Sequence, residues 1–134
     1  MRKVLTAFVV LCTCLVLQLS TVRAQFMDYL SYVALGLTNS AVTVTANPGP
    51  FLGYNCYNPN STAVFVQLFD TTGSVTVGTT SPTRTIQILP AGPTGQQNIS
   101  PPWSAVNGIK VAATTTQSGS TAPSTALNCE FYFR

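Results

Sequence analysis

The residue types that ordinarily carry acid–base, nucleophilic or metal chemistry are scarce in this chain of 134 residues. There is no histidine, and the carboxylates are Asp28, Asp70 and Glu130, too few and too scattered for paired acid–base work or a hard-metal site. A Ser or Thr nucleophile would need a base, and without histidine that base would be Lys110 or a carboxylate. Lys110 sits on the polar side of an alternating stretch, where a lysine serves as a solubilising charge. Glycoside cleavage would need two of the three carboxylates flanking one bond. Asp70, however, stands directly before Thr71-Thr72-Gly73, where an aspartate makes turn hydrogen bonds. The expectation is a protein that is not an enzyme, with no catalytic, cofactor-binding or metal-ligating residues.

Binding chemistry has more to work with. Aromatic rings that stack on sugar faces, with Asn, Gln and Thr supplying hydrogen bonds, suit a charge-poor surface. Trp103 follows Pro101-Pro102 in what reads as a loop, and Tyr57 and Tyr132 fall on the polar sides of their segments. With Asp70, these are the candidate ligand contacts. The competing reading of Trp103 is a plug that closes one end of the core. Asn60-Ser61-Thr62 and Asn98-Ile99-Ser100 match the N-glycosylation pattern, with Pro101 arguing against use of the second.

The N-terminal segment and the cysteines point to an expected compartment, and the charge balance bears on the partner. Arg2 and Lys3 precede an apolar run from Val4 to Leu19, and Val22-Arg23-Ala24 has the small-residue pattern of an export-signal cleavage site. The run is shorter than a spanning helix needs. Residues 1–24 are therefore expected to be a cleaved signal peptide, and the mature protein to be secreted, periplasmic or at the cell surface, with no transmembrane segment. After Ala24 three cations remain, Arg84, Lys110 and Arg134, against three carboxylates, for a net charge of zero. That is too little positive charge for a nucleic-acid partner. Cys12 and Cys14 leave with the signal, so Cys56 and Cys129 meet an oxidising compartment and are expected to form a disulfide closing a loop of 74 residues, the competing readings being two buried free thiols or a bond between two chains.

The elements that position these residues are short strands. After Ala24, 41 of 110 residues are Thr, Ser, Asn or Gln, and glycines and prolines are spread as punctuation. Val42 and Val44 alternate with Thr43 and Thr45, and Leu52, Tyr54 and Cys56 share a face between two turn signals, Asn47-Pro48-Gly49-Pro50 and Asn58-Pro59-Asn60. Between Thr62 and Asp70 both faces are apolar, as in a central strand. Ile86 with Ile88, then Ile109 with Val111, and finally Leu127, Cys129, Phe131 and Phe133 repeat the alternation. Both cysteines lie on inward faces. Residues 39–134 are thus expected to be a small all-β domain, a two-layer antiparallel β-sandwich of jelly-roll or immunoglobulin-like appearance. It is not a true immunoglobulin domain, since Trp103 is misplaced for one and Leu127 occupies the tyrosine-corner position. Phe26, Leu30, Val33, Ala34 and Leu37 have helical spacing, which leaves residues 25–38 open between a short helix and a first strand. The edges of a sandwich can pair with other chains, so an oligomer is compatible with the sequence. The partners in view are a cell-surface glycan or protein.

From Gly49 onward the order of features resembles a small β domain met in bacteriophage and prophage-encoded surface proteins of unassigned role. The residues that carry it are Gly49 and Gly53, the stretch Val64 to Asp70, Gly78-Thr79-Thr80-Ser81-Pro82, Thr85 to Pro90, Asn107-Gly108-Ile109, Thr114-Thr115-Thr116 and the closing Phe131-Tyr132-Phe133-Arg134. The resemblance implies a non-enzymatic virion-surface or decoration module and carries over no functional residue. An export signal and a disulfide are departures from it, and both weigh toward a secreted or cell-surface protein on the same scaffold.

Overall fold

The computed structural model describes residues 29–90, 92–93 and 97–134; the expected signal peptide, Phe26 and Asp28 lie outside them. The described chain contains strands and turns and no helix. The strands are β1 (Leu30–Leu37), β2 (Val42–Thr45), β3 (Gly49–Asn58), β4 (Val64–Asp70), β5 (Arg84–Ile88), β6 (Gly92–Pro93), β7 (Gln97–Ala105), β8 (Ile109–Thr114) and β9 (Leu127–Phe133).

They form two antiparallel sheets. One runs β1-β9-β3, with β7 and the two-residue β6 both on the far side of β3, and the other runs β2-β8-β4-β5. Leaving β6 aside, the first strand pairs with the last, β2 with β8, β3 with β7 and β4 with β5. The chain is in effect one long hairpin, with its tip between β4 and β5, rolled up so that consecutive pairs fall in alternate sheets. Stacking then adds the β9–β3 and β8–β4 contacts. This is the jelly-roll form of the β-sandwich.

The period-2 pattern explains why the layers adhere. Along β9, Leu127, Cys129, Phe131 and Phe133 are buried while Asn128 and Glu130 face outward. Val64, Val66 and Leu68 of β4 and Ile109, Val111 and Ala113 of β8 meet them from the other sheet. Phe51 and Phe131 are fully buried with ring centroids 6.1 Å apart. Each such ring removed from water contributes about 2–3 kcal/mol.

The segment left open between helix and strand is, from Leu30 on, strand β1. It pairs with β9 along its length, so it belongs to the sandwich and is not a separate lead-in. Its helical spacing arises from a bulge. Tyr32 and Ala34 turn inward, Val33 and Leu35 outward, and then Gly36 at φ +76 inserts one residue and returns Leu37 to the core. The Gly36 N–H donates to Asn128 Oδ1 at 3.0 Å, which fixes the bulge.

A second irregularity corrects the expected face of Leu52. Phe51 pairs with Phe133, Gly53 with Tyr132 and Cys56 with Cys129, so Leu52 is the extra residue of a bulge and Phe51 takes its place in the core. Gly53 is required there: a Cβ would strike the carbonyl oxygen of Gln97 in β7. The stretch around Trp103, which reads as a loop after Pro101 and Pro102, belongs to strand β7. Prolines are tolerated on an edge strand, and β7 is one. The Ser100–Pro101 peptide is cis.

The outer face of the second sheet is also covered. Gln67 and Phe69 of β4 point away from the sandwich core yet are fully buried, and the loop 115–126 reaches Gln67 through Gly119. Gln67 Nε2 donates to Thr114 Oγ1 and to the Gly119 carbonyl, both at 2.9 Å, and Gly78 of the loop 71–83 packs against Ser120.

Candidate functional site

The residues expected to bind a ligand are not gathered in one place. Trp103 is 8% exposed on the inward face of β7, with its ring edge-on to Phe51 at 6.3 Å. It is a core residue in a strand rather than a loop aromatic, and no ligand can stack on it without opening the sandwich. Asp70 ends β4, but its carboxylate reaches past its own turn to the β7–β8 turn 36 residues away. It accepts from the Val106 N–H at 2.8 Å and the Asn107 N–H at 2.7 Å. Desolvation pushes the Asp70 carboxyl upward, but the amides of Val106, Asn107 and Gly108 and the Asn107 side chain outweigh it. The net effect holds the group below the usual aspartate value. Asp70 is therefore engaged in closing a turn.

Tyr57 and Tyr132 do face outward, on the exposed side of the first sheet. Tyr132 donates to Glu130 Oε2 at 3.1 Å and stacks edge-on with Tyr29 at 5.6 Å. Partial burial, then the neighbouring Glu130 charge, push its phenol above the ordinary tyrosine value. Tyr57 is 47% exposed and borders a shallow hollow of about 230 Å³ with Val33, Leu35, Pro93 and Asn128. Asn60 of the first glycosylation pattern is buried. Its Nδ2 donates to Asn58 Oδ1 and to the Thr125 carbonyl, and its Oδ1 accepts from Ser124 Oγ and the Thr125 N–H, all at 2.7–2.8 Å.

Two surface features were not legible from residue types alone. The first is the free side of β1. Leu30, Val33 and Leu35 are 63%, 57% and 78% exposed, beside an exposed Tyr29. Residues 29–46 contain no charged side chain and no proline. The second is a cleft on the opposite flank, where edge strand β5 of one sheet faces β7 of the other across the gap between the layers. It consists of two adjoining hollows of about 440 and 410 Å³ that share Tyr54, Gln87 and Gln97.

Among the described residues, no three His, Cys, Asp or Glu side chains come together in a group that could hold a metal ion. No helix among them is long and apolar enough to cross a membrane. A scan against protein-family models finds no match to this chain, and searches of curated proteins and of solved structures find none either.

Proposed function

We propose that this protein is a non-enzymatic structural and interaction module, exported through its N-terminal segment, that assembles at a cell or particle surface by pairing β1 with β1 of a second copy. The observation that carries the reading is the contrast between β1 and the other sheet edges. Proteins blunt edge strands with charge, proline or brevity because an open row of backbone groups recruits other chains. Here β2 has four residues, β5 carries the exposed Arg84 and is followed by Pro90, and β7 contains two prolines. β1 has eight residues, no charge and no proline.

The strand is also complementary to itself. An antiparallel register centred on Ala34 sets Val33 of each copy opposite Leu35 of the other on the outer face. Those four side chains then cover one another and join the two sheets into one, a symmetric contact of the kind most homodimers use. Jelly rolls serve in capsids and in lectins alike, so the fold alone does not choose a role. A cross-strand disulfide supports an oxidising compartment. The resemblance to phage and prophage surface domains fits assembly on a particle through the same edge.

Sedimentation equilibrium of the wild type against Val33→Lys and Leu35→Lys tests the assembly. The expected result is a dimer or larger species that either lysine reduces to monomer with an unchanged circular dichroism spectrum; a wild type that is monomeric at every concentration would overturn it. Gradient fractionation of the native culture with mass spectrometry of the N-terminus tests the export. The expected N-terminus is Gln25, and a chain retaining residues before it would contradict export.

A further inference from the structure

We infer that the cleft between β5 and β7 is a binding site for a neutral oligosaccharide. The inference stands apart from the β1 assembly, which uses the opposite flank of the sandwich.

The cleft exists because the two sheets part at this flank. Tyr54 of β3, Ile86 of β5 and Ile99 of β7 are on inward faces and pack against the core, yet each is only half-buried. Elsewhere in the sandwich, inward side chains such as Phe51, Val66 and Phe131 are sealed. The half-exposed rings and branched side chains form an apolar floor, extended at one end by the exposed Leu89 with Pro90 and Pro93.

Polar groups stand around that floor. Gln87 and Gln97 border both hollows, and Arg84, Thr85 and Asn98 border the second. Gln97 stands opposite the inward Tyr54, and an amide side chain both donates and accepts, the dual capacity that sugar hydroxyls match. The Tyr54 phenol is pushed by burial above the ordinary tyrosine value, so it stays a neutral donor and acceptor across the physiological range.

Charge narrows the ligand class. Among the described residues no carboxylate lines either hollow, which disfavours cations and basic peptides, and Arg84 is the one cation, which disfavours polyanions. What remains is an uncharged ligand with apolar faces and hydroxyl edges. The hollows adjoin end to end, and each lies within the range of small-ligand sites, so the shape suits an elongated chain of a few sugar rings.

The test uses protein produced from the full chain, labelled with 15N and titrated with cellohexaose, maltohexaose, chitohexaose and xylohexaose at millimolar concentrations. An uncharged extended decapeptide serves as the comparison. The expected result is saturable shifts at the amides of Tyr54, Gln87 and Gln97 with at least one sugar. Gln97→Ala should lower the affinity about five- to tenfold, and so should Tyr54→Phe, which keeps the ring in place. Gln97 is exposed on edge strand β7, opposite Tyr54, so Gln97→Ala keeps the native spectrum elsewhere, and Trp103→Phe in the core leaves the affinity unchanged. The proposal is overturned by no shift with any of the sugars, by sugar binding that Gln97→Ala does not weaken, or by saturable shifts with the decapeptide alone.

Discussion

Cys56 and Cys129 stand directly opposite each other in neighbouring strands, with Cα atoms 4.1 Å apart. The disulfide therefore rivets the two central strands of one sheet and does not tie the layers together. Because β3 comes early in the domain and β9 ends it, the bond closes most of the jelly roll. The chain-entropy cost it removes from the unfolded state is about 4 kcal/mol, an upper figure. A Cys56→Ala/Cys129→Ala double variant is expected to lose about 2–4 kcal/mol in urea unfolding. Two alkylatable thiols in unfolded, unreduced wild-type protein would contradict the bond.

Much of this architecture was legible in advance because sandwich strands bury one face. The alternation placed Val42 and Val44, Val64 to Leu68, Ile86 and Ile88, Ile109 and Val111, and Leu127 to Phe133 on the sides they occupy, and both cysteines on inward faces. Strand period fails where a bulge shifts it. Gly36 made β1 look half-helical, and Leu52 took the core place that belongs to Phe51. Proline misled in β7, where an edge position permits what a central strand forbids. Of the two readings of Trp103, a ligand contact or a plug at the end of the core, its burial agrees with the core one, though the ring sits in a strand and not in a loop. For Asp70 the sequence predicts hydrogen bonds in the local Thr71-Thr72-Gly73 turn, whereas its carboxylate closes the distant turn at Val106 and Asn107, which no local pattern announces. The cleft and the free β1 edge depend on which strands end each sheet, and only the assembled topology decides that.

Trp103 is the sole tryptophan of the chain, and burial against Phe51 makes it a reporter of the core. Its native emission is expected to be blue-shifted from that of the unfolded chain and unquenched by acrylamide. Trp103→Ala should cost about 3–5 kcal/mol through the cavity left under β7. Native emission at the unfolded wavelength would place the ring in solvent, against the structure.

Acid sensitivity follows from Asp70. Its folded carboxyl value lies below the unfolded one, so the unfolded state binds the proton more tightly. The stability it contributes is present above the unfolded value of about 3.9 and is lost as pH falls through the folded value. Asp70→Asn should therefore flatten the part of the stability profile below about pH 4, by a small amount because solvent screens a carboxylate at the surface. Urea titrations across that range in both proteins measure it. An identical acid slope in the two would remove Asp70 from the account.

The buried amide pair Asn58 and Asn60 joins three segments. Asn58 Nδ2 lies within hydrogen-bond distance of the Thr62, Ile88 and Leu89 carbonyls, and Asn60 holds Ser124 and Thr125. Asn60→Ala leaves several of these groups unpaired and is expected to cost about 2–3 kcal/mol. Because its side-chain nitrogen is already donating, the folded protein should carry no glycan on Asn60. A mass increment at this residue in protein from a glycosylating host would contradict the burial.

The central claim is that β1 is an edge used for pairing, and backbone hydrogen exchange on β1 reads it most directly. Half of the β1 amides bond to β9 in the monomer, and the alternate half point to the free side. Exchange measured from low to high micromolar concentration is expected to show the alternate amides gaining protection as protein concentration rises, with no such gain in Leu35→Lys. Concentration-independent, rapid exchange at those amides would contradict assembly through β1.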